Sequence, residues 1–268
     1  MYRLAIVAAF EPEVKSLGLS GKVESIFRDV SKLGYDGVEL LIKDPEILDI
    51  EKIKILAEKF NLSIPAIGTG PTYTIYGLSL SSQSRMVRER ALERIKKYLK
   101  VGKELNSSII IGSIKGKSEE HNRGIKNLKN SLEKCAEYAE EIGVNILIEP
   151  LNRYESNLVN TLEEAIELVE EIGSEKIRVM ADTFHMNIEE SSIYDSIIKA
   201  DGYLEHIHFA DSNRQAPGEG HLDFKQIIAA LKKINYRSFI SAEILPLPNQ
   251  HDAAKTAIKY LKKFLTHD

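Results

Sequence analysis

The sequence predicts an α/β protein, a single (β/α)8 TIM barrel spanning residues 1–268. Three observations carry that prediction. Eight short runs rich in β-branched residues recur along the chain, stretches of helical period lie between them, and 268 residues with 43% hydrophobic content suit one large barrel. No Pro/Ser-rich linker or low-complexity segment divides the chain.

The strand candidates, in order, are "LAIVAA" (4–9), "GVELLI" (37–42), "SIPAIG" (63–68), "SSIIIG" (107–112), "NILIEP" (145–150), "IRVMAD" (177–182), "LEHIHFA" (204–210) and "FISAEIL" (239–245). Each is a short, mostly apolar run bounded by turn or polar residues, as strands of a parallel sheet are. Between them lie amphipathic segments such as "VESIFRDVSKLG", "RERALERIKKYLKVGKEL", "GIKNLKNSLEKCAEYAEEIG" and "TLEEAIELVEEIG", several ending on the Gly that commonly closes a helix. Two begin with capping boxes, Thr161 with Glu164 and Asp223 with Gln226. "HDAAKTAIKYLKKFL" supplies the last helix.

Composition narrows the partners. Thirty-six Lys and Arg stand against 40 Asp and Glu, a formal net charge of −4, with no long cationic block; this weighs against a nucleic-acid surface. The single cysteine, Cys135, lies in a helical pattern, has no disulfide partner and reads as a small core residue. "MYRLAIVAAFEPEV" turns polar too soon for a signal peptide, and no apolar run is long enough to span a bilayer. A soluble cytoplasmic protein without a membrane partner is expected.

In this fold, active sites form at the C-terminal ends of the strands. The fifth strand candidate ends near Glu149, the sixth at Asp182, the seventh near His208 and the eighth near Glu243. A lone Asp at a strand end is ordinarily a turn former or helix cap, and a lone Glu is usually solvated. Three carboxylates meeting at one dehydrated barrel mouth repel one another unless a cation sits among them. The set Glu149, Asp182, His208, Glu243 is mostly hard oxygen with one nitrogen and no sulfur, which suits Mn²⁺, Mg²⁺ or Co²⁺.

The stretches "IEPLNRYE", "ADTFHMNIEE", "HIHFADSNRQAPGEGHLDF" and "SAEILPLP" resemble the ketose 3-epimerases of the D-tagatose 3-epimerase type, within the xylose-isomerase-like barrels. The resemblance implies that Glu149, Asp182, His208 and Glu243 hold one divalent ion, Mn²⁺ foremost. It makes Glu149 and Glu243 the catalytic acid/base pair. It puts Glu155, His185 (in the loop after the sixth strand) and Arg214 on the substrate's oxygens, and it implies a homo-oligomer. Where many neutral-ketose epimerases carry a "GE" pair after the metal-binding His, this chain reads "FADSN" with Asp211. That departure resembles the 5-keto-L-gluconate epimerase branch and implies interconversion of 5-keto-L-gluconate and D-tagaturonate.

The chemistry is consistent with such a set. A proton beside a ketone is too weakly acidic for a free carboxylate to remove quickly, so charge developing on the enediolate oxygens must be stabilised, which a metal ion can do. Inversion then needs a proton taken from one face and returned on the other, as two flanking carboxylates permit. The alternatives are epimerisation of neutral ketohexoses (D-tagatose, D-fructose, D-psicose) and an aldose–ketose isomerase such as a hydroxypyruvate isomerase. An endonuclease IV-like barrel would need more inward-facing His, and a non-catalytic sugar-binding barrel would have no use for both acid/base carboxylates.

Several other residues carry expectations. "GSIKGKSEEHNRG" places Lys115, Lys117 and Arg123 near the mouth, where one would pair with a substrate carboxylate, although loop lysines are usually just solvated. "APGEGH" reads as a loop positioning Arg214 rather than a phosphate cradle, because Glu219 sits in its centre. Glu39 reads equally as pocket lining or as a salt-bridged residue. His206 reads as buried behind the ligands, and His121, His221, His251 and His267 as surface residues.

Overall fold

A strand buried on both faces reads as an unbroken apolar run, and "RLAIVAA" of β1 (Arg3–Ala9) does so, with every residue but Arg3 buried. The others are β2 (Gly37–Leu41), β3 (Ala66–Gly68), β4 (Ser108–Ile111), β5 (Ile146–Ile148), β6 (Ile177–Asp182), β7 (Leu204–Phe209) and β8 (Phe239–Ala242). Each pairs in parallel with the next, and β8 pairs with β1 from Arg3↔Phe239 to Ile6↔Ala242, which closes the barrel. A two-residue strand, Leu19–Ser20, lies beside the outer end of β1 at Ala8 and Ala9. The computed structural model describes residues 2–265, so the reading of His267 lies outside the described residues.

Ten α-helices are found among the described residues: α1 (Val23–Leu33), α2 (Ile50–Phe60), α3 (Gly70–Tyr76), α4 (Arg85–Leu105), α5 (His121–Ile142), α6 (Leu162–Ile172), α7 (Thr183–Glu189), α8 (Ile193–Lys199), α9 (Phe224–Lys233) and α10 (Gln250–Leu265). Glycines 34, 143 and 173 end α1, α5 and α6 in the left-handed conformation. Both expected side-chain caps form: Thr161 accepts from the Glu164 N–H, and Asp223 from those of Lys225 and Gln226. The short helices α3 and α7 go beyond one helix per strand. Consequently His185 lies in the first turn of α7, not in a loop.

The core has two parts. The larger fills the space between the strands and their helices, with Phe27, Tyr98, Leu99 and Phe209 among its largest fully buried side chains. The smaller is a cluster of Ala66, Ile110, Leu147 and Met180. Since strand residues two apart point the same way, Leu147 and Met180 lie directly below Glu149 and Asp182 and form an apolar floor.

Strand ends differ slightly from expectation. Glu149 and Glu243 stand one residue beyond β5 and β8, His208 is the penultimate residue of β7, and Glu39 lies in the middle of β2.

Candidate active site and metal centre

Glu149, Asp182, His208 and Glu243 come together at the C-terminal mouth, each offering one ligand atom within 4.8 Å of all the others. From His208 Nδ1, Glu149 Oε1 and Glu243 Oε2 are 3.7 Å away and Asp182 Oδ2 is 3.8 Å away. Those separations are too long for hydrogen bonds. They are what ligand atoms about 2.0–2.2 Å from a shared ion show, since such atoms lie roughly 3–4 Å apart. Asp182 Oδ2 and His208 Nδ1 are buried with no hydrogen-bond partner. Buried polar atoms without partners are costly, and a divalent cation would satisfy both, so the residues present fit a divalent metal.

Asp182 fulfils both readings of its sequence position. Its Oδ1 caps α7, accepting from the N–H groups of Phe184 at 2.7 Å and His185 at 3.4 Å, which leaves Oδ2 for the cluster. His208 is oriented from behind. Its Nε2–H donates to Glu39 at 2.9 Å, while His206 Nε2–H donates to the other Glu39 oxygen at 2.8 Å. All three side chains are almost fully buried. Glu39 thereby fixes the His208 ring and turns Nδ1 toward the carboxylates. The salt-bridged reading of Glu39 and the buried reading of His206 both hold, and Glu39 also lines the pocket.

Glycine matters at residue 112, where a Cβ would sit 2.2 Å from Glu149 Oε2. "GSIKGK" does something the sequence did not suggest: Lys115 is fully buried, with Nζ donating to the backbone carbonyls of Glu149, Gly112 and Ile111. It braces the ends of β4 and β5 from behind. Lys117 donates to the Tyr154 carbonyl and Arg123 pairs with Glu120 at the surface. None of the three lines the pocket, which corrects the expectation that one of them meets the substrate.

His185, Glu155 and Arg214 converge on the same cavity, a pocket of about 440 Å³ also lined by Glu39, Glu149, His208 and Glu243. His185 Nδ1 accepts from the Asn152 backbone N–H at 3.2 Å and lies 2.7 Å from its side-chain amide, so the ring carries its proton on Nε2. That Nε2 is buried and unpartnered, 3.8 Å from Asp182. Asn152 also donates to Glu155 at 3.2 Å. It stands in "EPLNRYE", but nothing in an isolated Asn signals such a bridging role. Arg214 reaches Glu155 with Nη1 and Glu243 with Nη2, 2.9 Å each, its guanidinium 4.8 Å from the Phe184 ring centre. Its Nε has no partner.

The "APGEGH" loop does position Arg214. Asp211, fully buried, accepts from the N–H groups of Ser212, Gly218 and Leu222 at 2.7–3.0 Å, while its backbone oxygen accepts from the Arg214 N–H. Arg214 takes a left-handed φ of 61°. The Asp211 carboxylate is thus consumed in holding the loop.

Titration behaviour follows from crowding. Burial, with Glu243 and Asp182 nearby, pushes the Glu149 carboxyl up to about 8 against the pull of His208 and Lys115. Glu243 moves the other way: burial opposes its charge, but His208 and Arg214 hold it below its usual value. Burial also works against charge at Asp182 and His208. His185, His208 and Arg214 outweigh it at Asp182, lowering that carboxyl, while Glu39, Glu243 and Asp182 outweigh it at His208, raising the imidazole. Burial lowers His185, keeping it neutral at pH 7. Buried carboxyls pushed in opposite directions in one cleft suit acid/base work.

The likenesses to known proteins agree with this geometry. D-psicose 3-epimerase from Agrobacterium fabrum is 34% identical over 241 residues, spanning 84% of this chain and 80% of the relative. L-ribulose 3-epimerase from Methylomonas sp. is 31% identical over 218 residues, spanning 80% and 75%. Among solved structures, D-psicose 3-epimerase with D-tagatose from Clostridium cellulolyticum H10 superposes with a TM-score of 0.84 at 25% identity, covering 98% of this chain and 99% of that one. Fold, site and relatives define a barrel enzyme of the isomerase class. Residues 27–264 match the family described as Xylose isomerase-like TIM barrel, and the chain belongs to it. No helix among the described residues is long and apolar enough to cross a membrane.

Proposed function

We propose that the protein is a metal-dependent sugar epimerase that inverts the carbon next to a ketone, with 5-keto-L-gluconate and D-tagaturonate as its substrate pair and Mn²⁺ as its ion. The observation that carries the reading is the convergence of Glu149, Asp182, His208 and Glu243, with ligand atoms within 4.8 Å of one another. Beside them, His185 and Arg214 line the same pocket, with His185 Nε2 and Arg214 Nε unpartnered. The four residues would hold the ion. When bound, the ion supplies positive charge beside the ketone and its neighbouring hydroxyl, making the adjacent C–H more acidic.

The chain's own groups do the rest. One of Glu149 and Glu243, ionised, takes the proton from the carbon bearing the hydroxyl. The other, protonated, returns a proton to the opposite face. The two exchange roles in the reverse direction, so no net proton is gained or lost by the substrate. His185 donates through Nε2 to a substrate oxygen, held in that tautomer by Asn152. Arg214 and Glu155, already joined, bind further hydroxyls and keep Glu243 aimed. The apolar floor of Leu147 and Met180 closes the barrel beneath the site.

Support for the keto-acid substrate comes from "FADSN", in which the Asp211 carboxylate is committed to the loop and does not itself receive a substrate hydroxyl. A cytoplasmic setting suits a chain whose one cysteine is buried and free. The names of the relatives, which act on D-psicose and L-ribulose, favour neutral ketoses as the second reading. Proton exchange in D₂O with Mn²⁺, followed by NMR at the carbon beside the ketone, compares 5-keto-L-gluconate with D-fructose and D-tagatose. Fast exchange with inversion on the keto acid supports the first reading. Exchange confined to the neutral ketoses replaces it with the second.

A further inference from the structure

A keto-acid substrate brings a negative charge into a pocket already rich in carboxylates, and something must receive it. The inference below rests on the keto-acid reading above. Most cations around the mouth are committed. Arg214 sits between Glu155 and Glu243, one positive charge against two negative ones. Lys43 is paired with Glu13 at 3.1 Å, and Lys115 is buried on three backbone carbonyls outside the pocket lining. Among the described residues lining the pocket, Lys15 alone is a cation with no ion pair and no hydrogen bond, and it is exposed.

The backbone carrying Lys15 is held in place. Leu19–Ser20 pairs beside Ala8 and Ala9 of β1, and the Leu17 carbonyl accepts from the Ile244 N–H at 3.0 Å, next to Glu243. Gly18 lies so close to β1 that a Cβ there would fall 2.1 Å from the Val7 carbonyl oxygen. Val14 is buried and, with Leu17, also lines the pocket. The loop is therefore pinned between β1 and the end of β8 just after Lys15 and anchored by buried Val14 just before it, while the lysine's flexible stem and ammonium remain free. A mobile point charge on a fixed base suits a terminal carboxylate, whose geometry demands less than a bidentate clamp.

We propose that Lys15 binds the carboxylate of the keto-acid substrate while the ketone end lies at the Glu149–Asp182–His208–Glu243 cluster, which makes Lys15 the residue that selects sugar acids over neutral ketoses. A divalent ion offsets only part of the cluster's negative charge, and Arg214 is already shared. Lys15 supplies the remaining attraction at the other end of the substrate.

The test uses the Mn²⁺-loaded enzyme with Lys15→Met and Lys15→Arg. The specificity ratio, kcat/KM on 5-keto-L-gluconate over that on D-tagatose, is expected to fall about tenfold in Lys15→Met, mainly through KM for the acid. Lys15→Arg retains most of the ratio. Added salt raises KM for the acid in the wild type and much less in Lys15→Met. As a binding readout independent of turnover, the rise in Tm given by the keto acid shrinks in Lys15→Met relative to that given by D-tagatose. An unchanged ratio, or equal losses on both sugars, overturns the role of Lys15 and leaves the keto-acid reading standing. A failure of that reading looks different: the wild type itself turns over and binds D-tagatose in preference to the acid, and the anchor falls with it.

Discussion

Loading the metal centre is expected to expel protons, because two of its ligands are protonated near neutrality in the metal-free protein. Glu149 is pushed up to about 8 by burial and by Glu243 and Asp182. A carboxyl of that value is ionised in about 3% of molecules at pH 6.5 and about 76% at pH 8.5, so Glu149 alone raises apparent metal affinity about 25-fold over that range. His208, raised above its usual value despite burial by Glu39, Glu243 and Asp182, adds a second proton. The sign follows directly. Glu149's folded-state value lies above that of an unfolded carboxyl, about 4.3, so its contribution to metal-free stability is present in acid and lost as pH rises through about 8. Metal binding needs the ionised form and gains as pH rises. Titration calorimetry with Mn²⁺ in buffers of different ionisation enthalpy counts the protons: between one and two at pH 6.5, and about one fewer in Glu149→Gln. Affinity that stays flat from pH 6.5 to 8.5, or equal release in Glu149→Gln, refutes the reasoning.

Glu39→Gln leaves one acceptor oxygen for the His208 and His206 N–H groups and sets an NH2 against the other, and is expected to weaken Mn²⁺ binding about 10- to 100-fold, measured by competition with a chelator. Gly112→Ala forces a methyl against Glu149 Oε2; kcat and metal affinity are expected to fall well before Tm does, which paired kinetics and thermal melts will show. Asp211→Ala strips an acceptor from three backbone N–H groups and is expected to cost roughly 2–4 kcal/mol of stability and to raise KM by loosening Arg214, checked by denaturant unfolding and steady-state kinetics. Leu147→Ala opens a cavity in the floor below Glu149 at a cost of about 2–5 kcal/mol, read from the same unfolding curves.

The barrel was legible because each parallel strand buries both faces and is mostly apolar, with Glu39 in β2 and His206 in β7 as buried exceptions that pair with each other. Polar residues such as Asp182 and His208 therefore stand out at the C-terminal ends, and their order along the chain becomes their order around the mouth. Asp182 also shows why two sequence readings need not compete: one oxygen caps α7 and the other faces His208. Lys115 was misread because a lysine between glycines ordinarily points to water. Its burial depends on carbonyls from two strand ends that only the closed barrel brings together. Asn152 and Lys15 were passed over for a related reason. The first acts through a contact 33 residues away, and the second lines the pocket because the loop after β1 is pinned against β8. The helical turn holding His185 was missed because "TFHMNIE" is too short for a helical period to emerge.

The central claim, inversion by two opposed carboxylates, is tested most directly by following proton exchange and inversion separately in D₂O, starting from each epimer, with Mn²⁺-loaded wild type, Glu149→Gln and Glu243→Gln of verified metal content. The account predicts that wild type inverts the carbon and leaves one solvent deuterium on the product, and that both variants lose inversion. Any residual exchange in Glu149→Gln is confined to one epimer and in Glu243→Gln to the other. Inversion that persists in either variant, or exchange of both epimers by the same single carboxylate, would contradict it.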